Sequence, residues 1–139
     1  MSTFTVLEDF VSLRRTVALL RACDTKSSEF GHNQISILYK LSLAPATMGE
    51  LVDHTFSDKA SITRTVASLE EMGLVKRKND EKDRRVTIIE LTGKGKIQAE
   101  KAQEIRASIG QKLDNCLSAE ERKQFSALVE KIVEKLKLK

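Results

Sequence analysis

Proline occurs once and glycine six times in 139 residues, well below their combined share of roughly 12% in average proteins. So few turn-formers disfavour an irregular or all-β architecture. Cysteine occurs only at Cys23 and Cys116, too few and too far apart for a zinc site or a disulfide framework. Both read as reduced thiols. No apolar run approaches the roughly 18 residues of a membrane span, so no membrane partner is expected. Met1 to Phe10 lacks a basic start and carries Glu8 and Asp9, which argues against a signal peptide and for a cytoplasmic protein. Catalytic signatures are also missing. The only histidines, His32 and His54, read as helix-end residues rather than metal ligands. No nucleophile elbow or apolar carboxylate pair occurs, and Gly93-Lys94-Gly95 has no Walker pattern around it. The expectation is a protein that is not an enzyme and needs neither metal nor cofactor.

One domain of this length can bury about two thirds of its unfolded surface, so a core without staples is attainable. The net charge is +4, but its distribution is uneven. Residues 1–30 carry 4 basic and 4 acidic side chains, residues 31–91 carry 9 and 9, and residues 92–139 carry 11 and 7. Bulk charge therefore says little about nucleic acid, and only local clusters can carry that reading.

Val6, Phe10, Leu13, Val17 and Leu20 recur at helical spacing and predict a helix over about 5–23. A polar stretch over 24–28 separates it from a second helix through Ile35, Leu38 and Tyr39, which stops before Pro45. Ala44-Pro45-Ala46 reads as a turn. Met48, Leu51 and Val52 mark a short helix, and a polar break at Ser57-Asp58 leads to a longer one with Ile62, Val66 and Leu69 inward, ending at Gly73. The period then changes. Leu74-Val75 opens one strand and Val86 to Leu91 forms a second, with Asn79 to Arg85 as the hairpin between them. Thr92 caps a long helix carrying Ile97, Ile105, Ile109 and Leu113, and Ser118 with Glu121 forms a capping box for a last helix. That helix carries Phe125, Leu128, Val129, Ile132, Val133 and Leu136, a stripe too broad for solvent.

A short helix, a tight turn and a second helix can lay the second one in the major groove. With Ile62, Val66 and Leu69 inward, Lys59, Ser61, Arg64 and Ser68 turn outward or to the flank, where Arg64 can pair with guanine and Ser61, Thr63 and Ser68 can reach phosphate or base edges. Asp58 at the start of this helix suits its dipole but repels phosphate. The hairpin adds Lys76, Arg77, Lys78, Lys82, Arg84 and Arg85 within ten positions, against Asp80, Glu81 and Asp83. Such side chains can follow phosphates and enter the minor groove.

In this order, Glu50-Leu51-Val52, Ser57 to Arg64, Leu69 to Val75, Asp83-Arg84-Arg85, Leu91-Thr92 and Gly95 resemble the MarR family of winged helix-turn-helix transcription regulators. The resemblance runs over nearly the whole chain. It implies a mainly α (α+β) fold, a winged helix-turn-helix with a two-stranded wing and N- and C-terminal dimerisation helices. Residues 1–139 would form a single domain, with 31–91 as the DNA-binding part and 1–30 and 92–139 supplying the dimer. It further implies a homodimer that binds double-stranded DNA at a pseudo-palindrome as a repressor, with the recognition-helix role on Ser57 to Met72 and the wing-tip role on Arg85, oriented by Asp83. A small-molecule effector would sit at the junction of the dimer and DNA-binding regions. Some relatives sense peroxide through a cysteine on the first helix, but Cys23 has a mixed local field and no redox switch is expected; Cys116 reads as a packed thiol. The alternative from a different class is a winged-helix protein-interaction module without DNA binding.

Overall fold

The computed structural model describes residues 5–25, 30–55 and 57–137. Its elements are α1 (Thr5–Thr25), α2 (His32–Leu43), β1 (Ala46–Thr47), α3 (Met48–Thr55), α4 (Lys59–Glu71), β2 (Val75–Asn79), β3 (Thr87–Leu91), α5 (Gly93–Asp114) and α6 (Ala119–Leu136). It is the mainly helical winged-helix fold expected. Most of the 24–28 stretch lies outside the described residues.

Helix ends follow the side chains that can cap them. Asp58 Oδ1 accepts from the Ser61 amide at 2.8 Å, and Thr92 Oγ1 accepts from the Gly95 amide at 3.0 Å. Ser118 and Glu121 exchange both capping-box bonds, at 3.1 and 2.9 Å. α2 begins at Gly31, whose amide donates to Gln34 Oε1 at 2.9 Å. After α4 the chain reverses at Gly73, where φ is +74°, a conformation that a Cβ would strain.

The sheet order is β1-β3-β2, antiparallel throughout. Ala44-Pro45-Ala46, expected as a turn, instead leads into β1, where Ala46 pairs with Ile89 and is buried. Two residues are too few for an alternation to show in sequence, so tertiary pairing alone makes this strand. The two-stranded wing is thus backed by a third strand.

Ile37, Leu38, Leu51, Ile62, Val66, Leu69, Leu74 and Ile89 form the fully buried centre. α5 closes it with Gly95, Ala99, Ala102 and Ile109 rather than with the large residue at position 97. Ile97 is 63% exposed, which corrects its place in the expected apolar stripe. The reason is close approach. A Cβ at Gly95 would lie 1.9 Å from the Leu74 carbonyl oxygen, so this face of α5 tolerates only small side chains where it crosses the wing. Thr92 fixes that crossing by donating from its amide to Leu74 O at 3.0 Å and from its hydroxyl to Gly73 O at 2.6 Å.

The terminal helices behave differently. α6 contributes no buried residue, and Phe125, Leu128, Val129, Ile132, Val133 and Leu136 all face solvent. α1 likewise exposes Val6, Leu7, Phe10, Val11, Leu13 and Leu19.

Candidate nucleic-acid interface

α4 is held by its apolar side, and its polar side follows from that. Ile62, Val66 and Leu69 are fully buried, which leaves Lys59, Thr63 and Arg64 exposed. Arg64 Nη2 donates to Ser61 Oγ at 3.3 Å, so the guanidinium lies along its own helix. Thr63 donates to Lys59 O at 2.7 Å. Two of the expected site residues are turned partly inward. Ser68 is half-buried and accepts from Gln34 Nε2 at 3.3 Å, while Ser57 donates to Asn33 Oδ1 at 3.3 Å. Both bonds tie the α4 region to α2. The Asp58 carboxyl is held below its ordinary range, chiefly by the Ser61 amide, so it stays charged at the helix start.

The wing sorts its basic residues by strand face. β2 and β3 pair with Lys76 opposite Glu90 and Arg77 opposite Ile89. Lys76 and Lys78 therefore share a face with Glu90, and their ammonium groups lie 3.5 and 3.1 Å from its carboxylate. The hydrogen bond from Lys78 is the main cause holding Glu90 below its usual value. Arg77 points the other way and donates to Glu70 of α4 at 3.3 Å, joining the wing to the end of that helix.

At the tip, Asp83 organises the turn. Its Oδ1 accepts from the Arg85 amide and from Nε, both at 3.1 Å, and its Oδ2 accepts from Nη2 at 3.3 Å. This bidentate grip lowers the Asp83 pKa and aims a side chain that is 92% exposed. Lys82 and Arg84 are exposed beside it. The fold thus gathers Lys59, Thr63 and Arg64 on α4 and Lys82, Arg84 and Arg85 on the tip, with Lys76, Arg77 and Lys78 engaged by carboxylates of the same chain.

For the effector expected at the junction of the dimer and DNA-binding regions, the sequence named no residues. A cavity of about 360 Å³ is lined by residues from α1, α2, α3 and α5, among them Arg21, His32, Tyr39, His54 and Arg106. Arg106 sits 4.3 Å over the Tyr39 ring, and the His54 ring stacks on Tyr39 with centroids 6.2 Å apart. Ile35, Ile105 and Ile109 supply apolar wall. Burial, and then the charge of Arg21, lowers the His32 pKa; burial, and then Lys40, Arg106 and Arg21, lowers that of His54. Both histidines do stand at helix ends, and no linear spacing shows that those ends meet in one cavity.

Cys23 and Cys116 are both exposed. The expectation of a packed Cys116 is therefore corrected: residues 115–117 form the turn between α5 and α6, beyond the core, and its thiol donates to Lys112 O at 3.3 Å. Among the described residues no group of three or more His, Cys, Asp or Glu could hold a metal ion, and no helix is long and apolar enough to cross a membrane.

Comparison with known proteins gives a consistent picture. Residues 30–86 match the model of the MarR family. The HTH-type transcriptional regulator BilQ of Clostridium symbiosum is 34% identical over 83 residues, 60% of this chain and 58% of BilQ. Among solved structures, AbsC, a MarR family transcriptional regulator from Streptomyces coelicolor, superposes with a TM-score of 0.80 at 22% identity, covering 99% of this chain and 97% of AbsC. FabT of Streptococcus pneumoniae, solved in complex with DNA, superposes with a TM-score of 0.74 at 18% identity, covering 98% of each chain.

Proposed function

We propose that the chain is a MarR-family transcriptional regulator that binds double-stranded DNA as a homodimer, represses by occupying a pseudo-palindromic operator, and is released by a small-molecule effector. The observation that carries this reading is the Glu70–Arg77 link between α4, which presents Lys59, Thr63 and Arg64, and a wing that presents Lys82, Arg84 and Arg85. A helix fits the major groove and an exposed arginine on a rigid tip fits the narrow minor groove, so the pair can read one site together. Arg64 takes the base-reading role. Lys59, Ser61 and Thr63 take phosphate or base edges, and Arg85, positioned by Asp83, takes the minor groove. Ser57 and Ser68 act at the flank.

The dimer reading is supported by the solvent-facing apolar stripes of α1 and α6, which are too extensive to stay uncovered in water. In this reading residues 31–91 form the DNA-binding part, and 1–30 with 92–139 form the dimer. The cavity between α1, α2, α3 and α5 is the effector site. Its arginines and apolar walls suit an anion with an apolar body.

Fluorescence anisotropy on duplexes from the flanks of the coding region, at several salt concentrations and with unrelated DNA as competitor, tests this. Binding that prefers one flank and weakens steeply with salt is expected. Binding that is absent, or insensitive to salt, would leave a protein-interaction module in its place.

A further inference from the structure

The cavity assigned to the effector brings two histidines into one cluster of cations. His32 opens α2 and faces Arg21 of α1. His54, near the end of α3, is stacked on Tyr39 of α2 and faces Lys40 of α2, Arg106 of α5 and Arg21 of α1. Among the described residues no carboxylate lines the cavity, and Asp53, beside His54 in the chain, is exposed and does not line it. We propose that anion binding in this cavity takes up a proton from solvent onto the His32–His54 pair, so that an anionic effector is held more tightly as the pH falls below neutrality. The inference rests on the effector reading of the same site and adds a second input to it.

The sign follows from the surroundings. In the empty cavity, desolvation and neighbouring cations both disfavour imidazolium, which leaves the histidines neutral at neutral pH. An anion lodged among the same cations cancels their repulsion and offers an opposite charge. Each imidazole then binds a proton more readily in the occupied cavity than in the empty one. Between those two titrations, affinity rises about tenfold per pH unit for each proton taken up, and outside them it is flat.

Benzoate is the probe: a single-ring carboxylate for the walls of Ile35, Ile105 and Ile109, ionised throughout. Its binding to the full chain is measured by calorimetry at about pH 8 and about pH 6, each in two buffers of different ionisation enthalpy, with uncharged benzamide as comparison. Benzoate is expected to bind about three- to tenfold tighter at the lower pH, with proton uptake read from the buffer pair, and benzamide to show neither. The double variant H32Q/H54Q should bind benzoate with one affinity at both values. Should that variant misfold, the buffer pair on the parent protein still decides. Benzoate binding with equal affinity and no proton uptake would overturn the linkage while leaving the effector reading intact. No benzoate binding at either pH would overturn both.

Discussion

Two glycines in α5 should respond to the same substitution with opposite signs. At Gly95 a Cβ would lie 1.9 Å from Leu74 O and 2.9 Å from Leu74 C, both backbone atoms that cannot rotate away. Restoring ordinary contact requires α5 and the start of β2 to separate by more than 1 Å, which also pulls on the bond from the Thr92 amide to Leu74 O. Overpacking of this severity costs up to about 3 kcal/mol. The strained hydrogen bond adds about 1 kcal/mol, and the better helix propensity of alanine returns about 1 kcal/mol. Gly95→Ala should therefore lose about 3 kcal/mol. At Gly110, in the same helix, a Cβ meets nothing within 4 Å, so Gly110→Ala should gain up to about 1 kcal/mol. Urea unfolding at fixed protein concentration reads both, because a dimer's midpoint shifts with concentration. A Gly95→Ala protein as stable as the parent would refute the close-packed crossing of α5 over the wing.

Arg64→Ala should cost about 1–3 kcal/mol on the specific site and relax preference at one base position, as binding isotherms on single-base variants would show. Arg85→Ala should weaken specific and unrelated DNA more evenly; unchanged isotherms for both variants would place the interface elsewhere. Sedimentation should show a dimer at micromolar concentration, and Leu128→Glu with Ile132→Glu, both on the solvent-facing stripe of α6, should give a folded monomer. Footprints of the parent should then mark half-sites about 34 Å apart. DNA affinity should survive mild peroxide and be unchanged in Cys23→Ser; peroxide release that Cys23→Ser abolishes would make this exposed thiol a sensor after all.

The elements that sequence predicts best are those whose periodicity and end signals agree. α4 carries an inward face at Ile62, Val66 and Leu69 and a terminal glycine, and the structure buries the one and gives the other a positive φ. Ser118 with Glu121 likewise starts α6 as its pattern implies. α5 is harder to orient, because hydrophobicity marks Ile97 while the fold selects for smallness, and Gly95, Ala99 and Ala102 give no apolar signal. β1 is hidden for a related reason: Ala46 becomes a strand residue only because Ile89 is there to pair with it. The basic cluster of the wing is legible as composition, but which of its strand residues meet Glu90 and which meet Glu70 depends on β2–β3 register. The cavity residues lie on four helices and share no motif, so their meeting is purely tertiary.

That division also bears on the neutrality of residues 31–91. Nine acidic side chains against nine basic ones give no bulk charge for DNA binding, yet three of the acids are tied to particular cations. Glu90 holds Lys76 and Lys78, Glu70 holds Arg77, and Asp83 grips Arg85 from the turn side. Lys59, Arg64, Lys82 and Arg84 have no carboxylate within ion-pair distance among the described residues. Exposed ion pairs add little stability, so the chief effect of Glu90 and Glu70 is to engage Lys76, Lys78 and Arg77 within the chain. The cations left outside these pairs are Lys59 and Arg64 on α4 and Lys82 and Arg84 at the wing tip, with Asp58, Asp80 and Glu81 beside them in the chain. Fewer uncompensated cations also mean fewer counterions displaced from DNA, which shifts the balance from non-specific attraction to contacts that depend on base sequence and groove shape.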